Sequence, residues 1–108
     1  MIILPLTLNV CTNVHTFEEY YEWDAKKSAA NLAKHGVAFS DAADVFEDPR
    51  AVMLSDDHPD EERYAVLGMD SLARLVVVVY TWRGEAVRLI SARKATSTEA
   101  RIYAESNL

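Results

Sequence analysis

The run "LARLVVVVYTWRGEAVRLISARK", residues 72–94, constrains the fold more than any other part of the chain. Its first half is β-branched and nearly all apolar, which suits a central strand of a sheet. Arg83 and Gly84 make a tight two-residue turn, and "EAVRLISA" follows as the antiparallel partner. That turn is expected to set Trp82 opposite Glu85, Tyr80 opposite Val87, Val78 opposite Leu89, Val76 opposite Ser91 and Arg74 opposite Arg93. Alternation then gathers Tyr80, Trp82, Arg74 and Arg93 on one side of the sheet. Arg88 goes to the other side with Val79, Thr81 and Ile90, unless a bulge reverses the register. Two facing arginines repel, so Arg74 and Arg93 call for an anion between them: Glu61, Glu62 or a phosphate.

Helices are expected on either side of this β region. In "EWDAKKSAANLAKHGV", Asp24 is a suitable N-cap, Ala25, Ala29 and Leu32 recur at helical spacing, and Gly36 supplies a left-handed stop. Val37 falls where it can pack back on Leu32, while Lys27, Asn31 and Lys34 line a polar face. A shorter helix is expected from Ser40, with Ala42, Val45 and Phe46 on one face, stopping before Pro49. "AVMLS" and "RYAVLGM" read as strands flanking the acidic turn "DDHPDEE". "TSTE", residues 96–99, has the form of a capping box and starts a helix from Ser97 toward Ser106. With a short strand at "YYEW", the order describes an α+β domain: two N-terminal helices, a small antiparallel meander sheet and a C-terminal helix.

The chain has 108 residues, half of them apolar, enough for one core. Its single cysteine, Cys11, forms no internal disulfide, and a reducing cytoplasm is the simplest home. "MIILPLTLNV" is short for a membrane span and lacks the flanks of a signal peptide, so residues 1–20 read as an extension and residues 21–108 as the domain. Net charge is −6, but unevenly spread: −2 over residues 1–20, −7 over 21–70 and +3 over 71–108. The whole chain would repel a polyanion, yet its C-terminal third alone would attract one.

No zinc-ligand spacing, calcium loop, phosphate loop or nucleophile elbow occurs, so neither metal nor cofactor is expected. Arg93 and Lys94 lead into the last helix, whose N-terminus favours anions, although the capping box occupies some of its donors. Arg93 is therefore either a phosphate ligand or one half of a surface ion pair. Arg63 opens a strand and either projects to the same region or pairs with Asp60 or Glu62. His35 is a candidate because histidine as a residue type can exchange a proton under physiological conditions, and its place at a helix C-terminus also accounts for it through the dipole.

Taken in order, "WD...K...N..KHG", "F.DP", "ER...LG" and "ISARKAT..E...Y", spread over residues 21–105, resemble the BrnT family, toxins of type II toxin-antitoxin modules. The resemblance implies a RelE-like fold and a ribonuclease that cleaves RNA without a metal and halts translation. It also implies a BrnA-type ribbon-helix-helix antitoxin as partner, in a 2:2 assembly, with DNA touched only through that antitoxin and no membrane contact. By the same resemblance Arg63 and Arg93 stabilise the phosphorane, and Lys94, Arg83 and Arg88 hold the RNA backbone. Tyr80, His35 and Glu62 are candidates for acid and base, with Glu61 an equal contender to Glu62. The competing expectation is a catalytically silent module that binds an antitoxin as corepressor.

Overall fold

The computed structural model describes residues 21–55 and 62–107. The hairpin at the centre of the sequence is also the centre of the sheet. β4 (Leu75–Arg83) and β5 (Ala86–Lys94) pair antiparallel; β3 (Tyr64–Met69) joins β4, and β2 (Val52–Leu54) joins β3, also antiparallel. β1 (Tyr21–Glu22) lies parallel to the free edge of β5, so the order is β1-β5-β4-β3-β2. The expected antiparallel meander is present as β2 to β5. The whole sheet is mixed, because the chain enters along β5 before turning into its first helix.

Helices cover both faces of this sheet. α1 (Ala25–His35), the one-turn α2 (Phe39–Ala42) and a 3-10 turn (Ala43–Glu47) lie on one side, where Val37, Phe39, Ala42 and Val45 pack with Val66, Val76, Val78, Tyr80 and Leu89. α3 (Ser97–Ser106) lies on the other, where Tyr103 and Ala95 pack with Ala65, Leu67, Val77 and Val79. The second expected helix is thus mostly 3-10 in character, and it stops at Asp48, as the restriction imposed by Pro49 requires.

Local signals set the helix ends. The Asp24 carboxylate accepts from the backbone N–H groups of Lys26 and Lys27, and Gly36 adopts φ 75° at the C-terminus of α1, a conformation cheap only for glycine. Thr96 and Glu99 close a full capping box on α3. The inward face of α1 differs from expectation. Leu32 is 51% exposed and Ala25 and Ala29 face solvent, whereas Asn31, expected on a polar face, is buried. Val37 enters the core without the exposed Leu32.

Asn31 is buried because β5 needs it. Ala92 is paired with Val78, and its N–H and C=O meet Asn31 on the edge that β1 leaves uncovered past Glu22. The Asn31 carboxamide fills that place, donating to the carbonyls of Ala92 and Val37 at 2.8 Å each and accepting from the Ala92 amide at 3.1 Å. Gly68 serves a similar purpose on β3. A Cβ there would lie 2.9 Å from Val45 Cγ1 and 3.1 Å from Asp48 Oδ2, so its bare backbone lets the 3-10 turn close on the sheet.

Candidate functional site

The hairpin register decides which cations can act together. The turn falls at Gly84 and Glu85, one residue later than expected, with φ 63° at Gly84, and Arg83 pairs with Ala86. Trp82 then faces Val87, Thr81 faces Arg88 and Tyr80 faces Leu89, while Val79 faces Ser91 and Val77 faces Arg93. Ile90 is an extra residue between those two sets, a bulge that reverses the alternation of β5.

This corrects the expected grouping. Arg93 does not share a side with Tyr80, Trp82 and Arg74. It shares the α3 side with Thr81, Arg83, Arg88 and Ser91. Arg74 does not face Arg93 either: it pairs with Asp70 at 2.8 Å and donates to the Gly36 carbonyl at 2.9 Å, closing the turn before β4 onto the end of α1. Asp70, buried in that turn, also accepts from the amides of Leu72 and Arg74.

On the α3 side each strand-borne arginine meets a carboxylate. Arg93 Nη1 and Nη2 donate to Glu99 Oε1 and Oε2, both at 2.8 Å. The same Oε1 accepts from the Thr96 amide at 2.9 Å as part of the capping box. These bonds, those from Arg93 foremost, hold the Glu99 carboxyl down to about 2, and its carboxylate in turn raises the Arg93 guanidinium further above its usual range. Arg88 Nη1 lies 3.0 Å from Glu22 Oε2, and Arg83 Nε lies 3.7 Å from the same oxygen. One carboxylate therefore serves two guanidinium groups, and this end of the hairpin keeps an excess positive charge.

Arg63 precedes β3, half-buried, one position beyond the Tyr64 to Tyr80 pair and so level with Thr81. The Thr81 hydroxyl donates to the Glu62 carbonyl at 2.6 Å, which fixes the backbone at this point; the Glu62 residue itself is exposed. Arg63, Arg83 and Arg88 thus reach one end of the sheet. Glu61 and Asp60, considered as partners for Arg63, lie outside the described residues.

The remaining candidates lie on the α1 side. Tyr80 is buried there among Phe46, Tyr64 and Trp82, with ring centroids at 4.9, 5.5 and 6.4 Å, and its hydroxyl contacts Met53 Sδ at 3.8 Å. Burial, with a smaller contribution from Tyr64, raises the Tyr80 phenol above its ordinary range. Lys94 pairs with Val76, on the side opposite Arg93, and its Nζ lies 3.8 Å from where a Cβ on Gly36 would stand. His35 ends α1 beside this point, so Lys34, His35, Arg74 and Lys94 gather at the negative end of the α1 dipole. The cations thus form two groups on opposite faces, divided otherwise than expected: Arg93 joins Arg88 on the α3 side, and Arg74 stands with Lys94 on the α1 side.

Glu22 and Glu99 are the members that sequence reasoning missed. Glu99 was recognisable as the acidic end of a capping box, but its second partner depends on the bulge. Glu22 reaches Arg88 only because β1 runs parallel to β5. Among the described residues no group of His, Cys, Asp or Glu side chains converges as metal ligands, and no helix is long and apolar enough to cross a membrane.

A family model described as "Ribonuclease toxin, BrnT, of type II toxin-antitoxin system" matches residues 23–99. The crystal structure of the Brucella abortus ribonuclease toxin BrnT is similar to this chain, with a TM-score of 0.59 and 26% sequence identity over 72% of this chain and 99% of that one. No curated protein sequence matches.

Proposed function

Because the chain belongs to the BrnT family of ribonuclease toxins of type II toxin-antitoxin systems, we propose that it is a metal-independent endoribonuclease of the cytoplasm that arrests translation. Its partner in this reading is a BrnA-type ribbon-helix-helix antitoxin that neutralises it in a 2:2 assembly.

The observation that carries the reading is the shared face of Arg83, Arg88 and Arg93, with Arg63 adjoining at Thr81. Cleavage forms a bond from the ribose 2′-oxygen to phosphorus and breaks the bond to the 5′-oxygen. A base takes the 2′-proton, an acid returns one to the leaving oxygen, and the phosphorane between them carries extra negative charge. Guanidinium groups suit that charge, because their planar forks match phosphate oxygens and stay protonated. Arg93 and Arg63 take this role, and Arg83 and Arg88 hold the flanking backbone. Glu62, exposed beside Arg63, is the base candidate at that end. Tyr80, buried in the core, His35 and Lys94 lie on the α1 side, and the reading gives them no contact with the phosphorane.

Expression without the antitoxin should arrest growth, and Arg63→Ala or Arg93→Ala should relieve the arrest with the fold retained. Purified chain should cleave RNA equally with and without a chelator. The pairing of Arg83 and Arg88 with Glu22 and of Arg93 with Glu99 favours a second reading, a silent antitoxin-binding module. Retained antitoxin binding with no cleavage under either condition would establish it.

A further inference from the structure

The geometry points to Glu99 as an internal competitor for the phosphate at Arg93, carried on a helix that can give way: α3 holds the guanidinium fork closed until RNA displaces it. This rests on the ribonuclease reading and names a residue that sets its substrate affinity.

The Glu99 contact uses both Nη groups of Arg93 at 2.8 Å, the same two-pronged geometry a phosphate diester would take. A phosphate and Glu99 cannot both use that fork. The Arg93 side chain retains 42% of its exposure and that of Glu99 18%, so the pair sits at the surface with the cation reachable from solvent.

Glu99 is not an independent side chain. Its Oε1 also caps the Thr96 amide, so releasing Arg93 disturbs the first turn of α3. That helix is lightly held. It buries no residue completely and packs through the half-buried Tyr103, whose hydroxyl donates to Asp48 Oδ2 at 2.7 Å, while Asn107 donates to the Arg50 carbonyl at 3.3 Å. Movement of its first turn therefore exposes little core. The design also accounts for how an acidic chain carries arginines without gripping every polyanion: a ligand at Arg93 must outbid a preformed carboxylate.

The substitution Glu99→Gln tests this, because the glutamine oxygen can still cap Thr96 while the charge and the second acceptor for Arg93 are lost. Affinity is read by fluorescence anisotropy with a labelled single-stranded oligonucleotide lacking 2′-hydroxyls, at one fixed ionic strength. The variant should bind about three- to tenfold tighter than wild type, the range expected for removal of one close competing charge. Glu105→Gln, which removes an exposed charge from the same helix, should change affinity less than about twofold. In Arg93→Gln the Glu99→Gln gain should vanish. A gain that persists in Arg93→Gln, or no gain at all, overturns the inference.

Wild-type protein offers a check that does not depend on the variant's fold. The Thr96 amide resonance should move as oligonucleotide is added, because its acceptor leaves. A bound complex with the Thr96 resonance unmoved also overturns the inference. Failure of the ribonuclease reading looks different: wild type would neither cleave RNA nor bind the oligonucleotide, and the competitor would fall with it.

Discussion

The carboxamide of Asn31 meets both backbone groups of Ala92, 61 positions away, and so completes an edge of the sheet with a side chain. Replacing Asn31 with alanine leaves a buried N–H and buried carbonyls unpaired. It should cost about 2–4 kcal/mol, the sum of the lost bonds and their desolvation, read as a lower urea midpoint with an unchanged slope. Asp at this position should do no better, because it cannot donate to the Val37 and Ala92 carbonyls.

Gly68→Ala should destabilise by about 1–3 kcal/mol, as overpacking does where backbone must shift. The new methyl would press on Val45 and on the Asp48 carboxylate that accepts from Tyr103 and the Met69 amide. Loss of α3 signal before the global transition would show that the damage reaches the Tyr103 contact.

Arg88→Ala and Arg83→Ala should each weaken RNA binding and lower the dependence of log affinity on log salt by about one unit, the value of one phosphate contact. Thermal stability should change little, about 1 kcal/mol or less, because these are partly exposed ion pairs sharing Glu22. A variant that melts much earlier without losing RNA affinity would reassign the residue to the fold.

Acid should loosen the first turn of α3. The Glu99 carboxyl is depressed from 4.5 to about 2, so its contribution is complete above about 4.5 and is lost as pH falls through about 2. Wild type should therefore exceed Glu99→Gln in stability by about 1–2 kcal/mol at neutral pH, a value for a charge-assisted bond discounted for its exposure. The difference should close between those limits. A gap that is constant over this range would mean that the Arg93 bond contributes nothing to stability.

Much of the architecture was legible because its signals are local. Asp24, Gly36 and the Thr96 to Glu99 box mark helix ends through groups within four residues of each other, and α3 runs from Ser97 to Ser106 as its cap predicts. The β-branched run could only be a strand. Failures began where the relevant partner is distant. Ala25, Ala29 and Leu32 keep helical spacing, but alanine is indifferent to burial, and the buried face was chosen by the need of Ala92 for an amide. Arg74 was expected to share an anion with Arg93, whether Glu61, Glu62 or a phosphate, because its actual counterion Asp70 lies in a turn whose shape depends on Ala73 at φ 62°.

The site was legible in its residue types and not in its grouping. Arginine at 63, 83, 88 and 93 was visible, but a strand seen as sequence has no bulge. Ile90 carries no glycine or proline to announce one, and its effect is to place Arg88 and Arg93 together.

That single uncounted residue makes register in β5 matter more than composition. Were the bulge straightened with Ile90 retained, Arg88 and Arg93, five residues apart, would fall on opposite faces; were Ile90 removed together with the bulge, they would stand four apart and stay on the α3 side. Substitutions at this position should be tolerated wherever a β-branched side chain fits, and a one-codon deletion of Ile90 should keep the arginines on their shared face while removing the local bend of β5.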